Sequence, residues 1–540
     1  MSTASFLPAA SSARRTLSLR RMAAWLAARA SDPKAGPRLV IGFVAAHAVL
    51  WTFILIALKA AQDVHMDVAE AFAWGRKFQL GYGKHPPLSG WVAGLWFKIF
   101  PVTDWATYAL ATATLGCGLV ICWLIALRVV DRRRAFFTVV MLALYPIFNF
   151  KGFKYNPDLL QLVTLPLLVL AYLHAFEKRS VRSGLWLGLA GALALMTKYW
   201  VLTMIGAIGL AALIHPDRWL FLRSPAPWVA IGTLVVVMIP HLTWLKEVDF
   251  VPLTYAGDVY GLSDRAQSLQ LVLGYIGHNL ALLAVPILLA ALALVPSSRW
   301  RRLPRQTTEL FTRAWSGSAK CCVNTSQALN IWIIQIVVAI GPPLGGLIFT
   351  VYMKTDWGIS LFFLTPLALV AIPSLRLQRI ALFRITAIWL AVTLATLAAS
   401  PLIVAYEMAG NPGGGSTYGA RSELARELTQ AWHERFHTRW AVVAGTTEVG
   451  EPMTFYSPDA PAPFTPGEIW SSGLTSLEEA KRLGFIGICD TSDGRLPVCE
   501  AWMAANAENV ERLTVTTQRF FHGHPGPATS WNIYIAPPAK

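Results

Sequence analysis

Residues 39–406 consist mainly of long apolar runs interrupted by short polar segments. The first run, 39–60, contains a single charged residue, Lys59, close to its end. A run of this length is sufficient to cross a bilayer as an α-helix. Only 14% of the 540 residues are charged, compared with about 25% in an average soluble protein. The sequence therefore predicts an α-helical polytopic membrane protein.

Basic residues lie in short clusters between the apolar runs, at 14–21, 132–134, 178–182, 299–305 and 376–379. Cytoplasmic loops of membrane proteins carry an excess of Lys and Arg, so these clusters predict the topology. They also account for the net charge of +16 without nucleic-acid binding. We predict a basic cytoplasmic leader at 1–38, about 11 transmembrane helices within 39–406, and a first outer loop at about 62–91.

The apolar stretch 185–214 has basic segments on both sides, so it must cross the membrane an even number of times. We therefore predict two short helices that turn at Thr197 and Lys198, which places Lys198 at the outer surface. The run 39–60 is too long for the apolar region of a signal peptide and is predicted to remain as the first span. With 11 crossings, the C-terminal segment 407–540 faces outside.

The C-terminal segment alternates helix-like and strand-like stretches, which predicts a small α/β domain. Helical patterns occur in SELARELTQAWHERF and SLEEAKRL, and strand patterns occur in RWAVVAG, GFIGICD and WNIYIAP. Cys489 and Cys499 bracket a turn-rich stretch. A disulfide that closes this hairpin is expected only if the domain faces an oxidising compartment, and the predicted topology places it in the periplasm.

The predicted topology places many polar side chains together on the outer face. Lysines and acids at membrane depth are costly, so they are candidates for function. A mixed-charge cavity suits a phosphodiester or a phosphate-sugar, because lysine neutralises phosphate and a carboxylate accepts a proton. The set comprises Asp67, Glu70, Arg76, Lys84, His85, Lys154, Asn156, Asp158, Lys198, His241, Lys246, Glu247, Lys354 and Asp356.

The stretch DVAEAFAWGRKFQL is predicted to form an interfacial helix on the outer face. Asp67, Glu70 and Trp74 are spaced three and four residues apart, so they share one face of that helix. Gly81 and Gly83 are predicted to end it, and the following Pro-Pro pair stiffens the chain. The acids of this helix then point into the predicted cavity.

Each candidate also has a structural interpretation. Asp67, with Glu70 three residues later, fits a helix N-cap and its capping-box partner. Lys154 and Lys198 fit side chains that extend to lipid head groups. Purely structural roles are also compatible with His85, Asp158 and His241.

The segment 67–91 has the pattern D-x-A-x-x-x-x-W-x-R-x-x-x-L-G-Y-x-K-H-P-P-L-x-x-W. This pattern resembles the first outer loop of bacterial membrane glycosyltransferases of the protein O-mannosyltransferase superfamily. That group includes the lipid A aminoarabinose transferase and the family 39 glycosyltransferases. The resemblance extends to FKYNPD, TKYW and PHLTWL, which follow in the order seen in the family.

The resemblance implies a GT-C fold in the bacterial inner membrane, with a cavity open to the periplasm. Family members move a sugar from a polyprenyl-phosphate carrier to a lipid A, glycan, other lipid or protein acceptor, usually with inversion and without a nucleotide or other cofactor. Together with the outer-face set, the resemblance gives the candidate site. Its catalytic group is Asp67, Asp158 and Glu70, and its donor-phosphate or substrate-binding group is Lys84, His85, Tyr82, Lys154, Lys198, His241 and Lys354.

Two positions depart from the family pattern. Many relatives carry a second acid directly after the first, where this chain has Val68, and Glu70 is the nearest substitute. The position before the histidine is often acidic in relatives and is Lys84 here. This change is expected to strengthen phosphate binding, and no metal is assigned.

Two other classes of function are compatible with a polytopic chain. A transporter or flippase for a lipid-linked saccharide is expected to carry charged residues near the midplane of several spans, and often two matched halves. A scaffold or sensor would only display the C-terminal domain, and it leaves the outer acids and lysines without a role. The sequence contains no P-loop, which argues against an ATP-driven pump.

Overall fold

The computed structural model describes residues 9–295, 322–410, 417–466, 474–507 and 510–539. Within these ranges, seven helices are long and apolar enough to cross a membrane, which confirms the multi-pass helical architecture. They are Ala35–Leu58, Asp104–Val129, Pro157–Lys178, Pro225–Glu247, Arg265–Leu294, Thr325–Phe349 and Arg379–Gly410. The predicted basic cluster at 299–305 lies outside the described residues.

Shorter apolar elements occupy the positions of the other predicted crossings. Arg132–Ala143 and Pro146–Phe153 form a pair that is bent by 80°. Three more are Val181–Leu195, Tyr199–Ile214 and Thr355–Val370. The break between the first two of these three falls at Thr197 and Lys198, where the flanking charges predict a turn. The total of 11 crossings stays a prediction, because these shorter elements do not individually have spanning length.

The remaining helices of the N-terminal three quarters of the chain flank these apolar elements. Helix Ala9–Ser31 occupies much of the predicted leader. Two helices, Met66–Gly75 and Leu88–Ile99, form the first outer loop. The other α-helices are Arg218–Leu222 and Val251–Tyr260, together with Leu202–Ile214 and Thr365–Val370, which are the α-helical parts of two of the shorter apolar elements. Short 3-10 helices lie at Pro146–Phe148, Phe150–Phe153, Tyr199–Val201 and Thr355–Leu364.

Small residues allow two of the apolar helices to pack with their backbones in close approach. A Cβ atom at Gly184 would lie 2.5 Å from the carbonyl oxygen of Ala226, and one at Gly188 would lie 2.4 Å from that of Ala230. Glycine at such positions is typical of helix contacts within membranes. The two helices run in the same direction, so the residues that follow them, including Lys198, lie on the side where the second helix ends.

The C-terminal segment contains a five-stranded sheet, which confirms the small α/β domain. The strands are β1 Val442–Ala444, β2 Ala462–Phe464, β3 Phe485–Asp490, β4 Glu511–Phe521 and β5 His524–Ala536, in the order β2-β1-β3-β5-β4. β1 pairs in parallel with β2 and β3, whereas β5 pairs antiparallel with β3 and β4. The helices are Arg421–Phe436, Thr447–Tyr456, Leu477–Leu483 and Leu496–Asn506.

Cys489 and Cys499 form a disulfide, with their Cα atoms 5.8 Å apart. The predicted hairpin between them is wrong. Cys489 lies on β3, but Cys499 lies in a helix whose first turn contains Pro497. Proline favours the first turn of a helix and cannot donate a backbone hydrogen bond to a strand, so the chain leaves the sheet here. The disulfide therefore joins a strand to a helix.

The C-terminal domain rests directly on the first outer loop. Its helix Thr447–Tyr456 packs against helix Met66–Gly75. The ring of Phe455 makes edge-to-face contacts with Phe72 and Phe97, at centroid distances of 5.4 and 5.9 Å. These aromatic contacts fix the domain over the helix that carries the predicted catalytic acids.

Candidate active site

The helix that carries Asp67 begins two residues earlier than the capping interpretation requires. His65 is its N-cap, and the His65 side chain accepts a hydrogen bond from the backbone N–H of Asp67. The alternative in which Asp67 caps the helix is therefore wrong. The helix also ends at Gly75 rather than at the predicted Gly81, because Gly75 packs against the backbone of Gly94 and the chain turns there.

The Asp67 carboxylate is held by residues from the segment that follows the bent helix pair. Asn156 Nδ2 donates a hydrogen bond of 2.8 Å to Asp67 Oδ2, and Lys154 Nζ lies 3.4 Å from the same oxygen. Burial raises the pKa of Asp67, but His65, Lys154 and the Asn156 amide together lower it by more, so the pKa lies well below its ordinary value. Asp67 is therefore ionised at neutral pH and able to accept a proton.

Asp158 forms a second ion pair on the neighbouring wall. Asn156 caps the helix that begins at Pro157, and Asp158 lies in its first turn. Lys198 Nζ is 2.7 Å from Asp158 Oδ1 and 2.9 Å from Oδ2. Lys198 is 8% exposed and lies over the ring of Trp357. Because its charge is already paired inside the protein, Lys198 does not extend to lipid head groups.

Lys84 and Glu70 form a third ion pair in the first outer loop. Lys84 Nζ is 2.8 Å from Glu70 Oε1, and the two side chains are 11% and 9% exposed. Burial lowers the pKa of Lys84, but Glu70 and Glu451 raise it by more, so the ammonium is retained. Asp67 and Glu70 share a helix face as predicted, yet they bind different lysines. Lys84 therefore compensates buried carboxylates instead of presenting a free charge to phosphate.

Two predicted substrate ligands have structural contacts that occupy their polar atoms. Tyr82 is 1% exposed, stacks on Trp74 at a centroid distance of 4.9 Å, and donates its hydroxyl proton to the Trp74 carbonyl. His241 bonds through Nδ1 to the Leu80 carbonyl at 2.8 Å and through Nε2 to the Tyr199 hydroxyl at 3.1 Å. In this structure both residues support the first outer loop and do not line the cavity described below.

His85 is half-buried between the loop and the aromatic cluster around Trp74. Burial lowers the pKa of His85, and the nearby cations of Lys198 and Lys84 lower it further. His85 is therefore neutral at physiological pH. A neutral imidazole at this position can donate one hydrogen bond, but it does not add charge to a phosphate site.

A cavity of about 310 Å³ opens beside the Asp67 and Asp158 pairs. Its polar lining contains more lysines than carboxylates. Its lining side chains are Lys59, Ile147, Phe150, Lys151, Phe153, Lys154, Asn156, Asp158, Leu159, Lys354, Asp356, Ile359, Ser360 and Glu407. Such a surface suits an anionic group that brings an apolar chain and a sugar with it.

Most of the cavity lysines have a carboxylate partner. Lys59 Nζ is 3.7 Å from Glu407, and Lys151 Nζ is 3.4 Å from Asp356. Among the described residues, no carboxylate lies within 4.0 Å of Lys354 Nζ, and the Lys354 side chain is exposed. Of the predicted donor ligands, Lys354 is therefore the one that lines the cavity with an unpaired positive charge.

Three charged residues of this cavity were not predicted from the sequence. Lys59, Lys151 and Glu407 each lie at or directly after the end of an apolar run. That placement was the available signal, but terminal lysines are also common as head-group anchors. Glu407 was assigned to the C-terminal segment, although it lies within the last long helix. No metal was assigned from the sequence, and the described part of the chain holds no group of three or more His, Cys, Asp or Glu side chains placed to bind one.

Comparison with known proteins supports the resemblance read from the motifs. Residues 84–244 match the model of the family described as dolichyl-phosphate-mannose-protein mannosyltransferase. A lipid A galacturonosyltransferase, RgtD, from Rhizobium johnstonii is 24% identical over 251 residues, which cover 44% of this chain and 49% of the relative. The chain thus matches about half the length of that curated relative.

The fold of most of the chain matches a solved structure. The crystal structure of ArnT from Cupriavidus metallidurans bound to undecaprenyl phosphate superimposes with a TM-score of 0.57 at 12% identity. The match covers 91% of this chain and 98% of that chain. The expectation drawn from the sequence is therefore confirmed: the chain has the GT-C fold and is similar, in residues 84–244, to the protein O-mannosyltransferase superfamily.

Proposed function

We propose that this protein is a glycosyltransferase that moves a sugar from a polyprenyl-phosphate carrier to a lipid acceptor of the lipid A class. The observation that carries the proposal is an ionised Asp67 held by Lys154 and Asn156, two residues of the family-like segment 84–244 that line a lysine-rich cavity. The name of the relative, a lipid A galacturonosyltransferase, and the undecaprenyl phosphate bound to ArnT support this choice of acceptor and carrier.

The reaction needs a base and positive charge: Asp67, bonded to the lining residue Asn156, provides the base, and the cavity lysines provide the charge. The acceptor oxygen attacks the anomeric carbon of the sugar, and the bond between that carbon and the phosphate oxygen breaks. Asp67 accepts the proton of the acceptor hydroxyl. The polyprenyl phosphate leaves with one additional negative charge, which nearby lysines stabilise. A single displacement of this kind inverts the configuration at the anomeric carbon.

The role proposed for each residue at the cavity follows from its ion-pair partners. Lys354 is unpaired among the described residues and binds the phosphate, with Lys59 and Lys151 nearby on the same lining. Lys154 keeps Asp67 ionised. Asp158, which is paired with Lys198, lines the cavity and positions the sugar. A paired carboxylate can still accept hydrogen bonds from sugar hydroxyls.

The orientation in the membrane is part of the proposal. The basic leader at 1–38 lies in the cytoplasm, the catalytic domain spans 39–406, and the domain 407–540 lies in the periplasm of the inner membrane. The disulfide between Cys489 and Cys499 supports this orientation, because disulfides persist in oxidising compartments such as the periplasm. The cavity then opens at the surface where the acceptor and the carrier both keep their lipid chains in the bilayer.

The test is a transfer assay with the purified full-length protein in proteoliposomes. The donors are polyprenyl-phosphate sugars that carry neutral, acidic or amino sugars, the acceptor is lipid A, and product masses are measured. Transfer by the wild type and its loss in Asp67→Asn are expected. Movement of the lipid-linked sugar across the bilayer without transfer would replace this proposal with a flippase. Comparing lipid and glycan masses between a deletion strain and its parent then identifies the natural sugar and acceptor.

A further inference from the structure

The C-terminal domain binds the short segment that leads into the Asp67 helix. Asp63 N–H donates to the Thr417 carbonyl at 2.7 Å, and Val64 N–H donates to the Tyr456 hydroxyl at 2.6 Å. The Gln62 side chain donates to the Tyr418 hydroxyl at 2.5 Å. We call residues 62–64 the entry segment. Three successive residues are thus fixed by residues of the C-terminal domain that lie more than 350 positions later in the chain.

A buried charge cluster strengthens this attachment. Both Asp63 and Arg421 have fully buried side chains. Asp63 Oδ2 accepts from the Arg421 backbone N–H at 2.8 Å, and Asp63 Oδ1 accepts from Ser422 at 3.1 Å and from the Arg519 guanidinium. The Arg421 guanidinium also donates to the Val64 carbonyl at 2.9 Å. Buried charges need partners inside the protein, and these contacts provide several of them, so the cluster has little freedom to change its geometry.

The entry segment is directly coupled to Asp67. It is followed at once by His65, whose side chain caps the helix by accepting from the Asp67 N–H. Tyr456 ties the same segment to the membrane part, because its hydroxyl donates to Asp104 at 2.7 Å. A shift of the entry segment would therefore move the first turn of the helix relative to Asn156, the residue that holds the other side of Asp67.

We propose that Asp63 and Arg421 are positioning residues, through which the C-terminal domain holds Asp67 in its reactive place against the cavity. This inference rests on the proposed function, because it assigns Asp67 as the proton acceptor. The contacts distinguish positioning from simple attachment of the domain. They are made to the backbone of the entry segment, three residues before Asp67, as well as to side chains at the surface between the domains.

The test uses Arg421→Lys in the full-length protein. Lysine keeps the positive charge but lacks the planar group that reaches Asp63 and Val64 together. We expect kcat to fall at least tenfold while the KM for the polyprenyl-phosphate donor stays within threefold, since small displacements of a catalytic group have large effects on rate. The matched control is Arg435→Lys, which alters an exposed pair with Glu511 in the same domain and is expected to retain wild-type kinetics.

Two further measurements separate positioning from loss of folded protein. The acid limb of the kcat–pH profile should move to higher pH in Arg421→Lys, because a displaced Asp67 loses the partners that keep its pKa low. Amide hydrogen exchange of residues 62–70 should rise at least tenfold, whether or not a sugar donor is known. If Arg421→Lys does not fold, Tyr456→Phe, which removes the hydroxyl bonded to Val64, takes its place with the same expectations.

The outcomes are distinct for the two proposals. Unchanged exchange of residues 62–70, or a kcat within twofold of wild type, overturns the positioning role. A lower kcat with an unmoved pH profile and a parallel loss of folded protein also overturns it, because the contacts would then be structural alone. A wild type that transfers no sugar from any donor refutes the proposed function, and the exchange measurement still decides whether the domain holds the helix.

Discussion

Replacing Asp67 by Asn is the most direct perturbation of the proposed mechanism. The amide has nearly the same shape as the carboxylate, and its oxygen can still accept the hydrogen bond from Asn156. It cannot accept the proton of an acceptor hydroxyl at neutral pH. A positioned general base contributes about 10²–10⁴-fold to a rate. Each tenfold corresponds to about 1.36 kcal/mol of activation free energy. The variant is therefore expected to lose about 2.7–5.4 kcal/mol of transition-state stabilisation.

The same substitution should have little effect on the free energy of unfolding. The pair between Asp67 and Lys154 is 3.4 Å long, and both side chains retain some contact with solvent. After the change, the Lys154 ammonium is still attracted electrostatically by the carboxylates of Asp356 and Asp158. A loss of about 1 kcal/mol is therefore expected, as for other partly exposed pairs. The KM for the donor should not rise, because Lys154 becomes free to attract the phosphate.

The assay is sugar transfer in proteoliposomes, with kcat and KM measured at several donor concentrations. The matched control is Glu177→Gln, which neutralises a carboxylate paired with Arg128 at 2.8 Å near the opposite end of the helix that carries Asp158. The control should keep wild-type rates. Retention of more than a tenth of wild-type kcat by Asp67→Asn would refute the assignment of Asp67 as the base.

Three further predictions concern the phosphate, the pH dependence and the C-terminal domain. Lys354→Met should raise the donor KM about tenfold with a smaller change in kcat, measured by the same transfer assay. Lys154→Met should move the acid limb of the kcat–pH profile to higher pH, because Lys154 is one of the groups that lower the pKa of Asp67. Cys499→Ser should lower the free energy of unfolding of the C-terminal domain by about 2–3 kcal/mol, measured by urea-dependent proteolysis, since Cys489 lies only 10 positions away.

Hydrophobic length and charge position were enough to predict the helical architecture. The turn at Thr197 and Lys198 is an example, because basic segments on both sides of one apolar run demanded two helices. The strands in RWAVVAG, GFIGICD and WNIYIAP were also recognisable from short apolar stretches bounded by polar residues. These properties are local, so they appear in the sequence itself.

The partners of the charged residues were not predictable by the same means. Lys198 and Asp158 are 40 positions apart, and Arg421 and Asp63 are 358 positions apart. Nothing in the periodicity of either segment indicates which acid a given lysine or arginine will meet. β4 and the helix Thr447–Tyr456 were missed for a related reason, since their polar and apolar residues have no clear period and tertiary contacts stabilise them.

The role of Lys84 shows how these pairings change a functional interpretation. A lysine in place of a family acid suggested a stronger phosphate site, yet Lys84 lies against Glu70 and within the field of Glu451, which the C-terminal domain contributes. A lysine that binds a departing phosphate must offer charge that no carboxylate has already neutralised. Lys354 meets that condition among the described cavity residues, whereas Lys84 does not. The lysine at position 84 is therefore better explained by the docked domain, whose buried Glu451 is compensated by a cation at the surface that the domain covers.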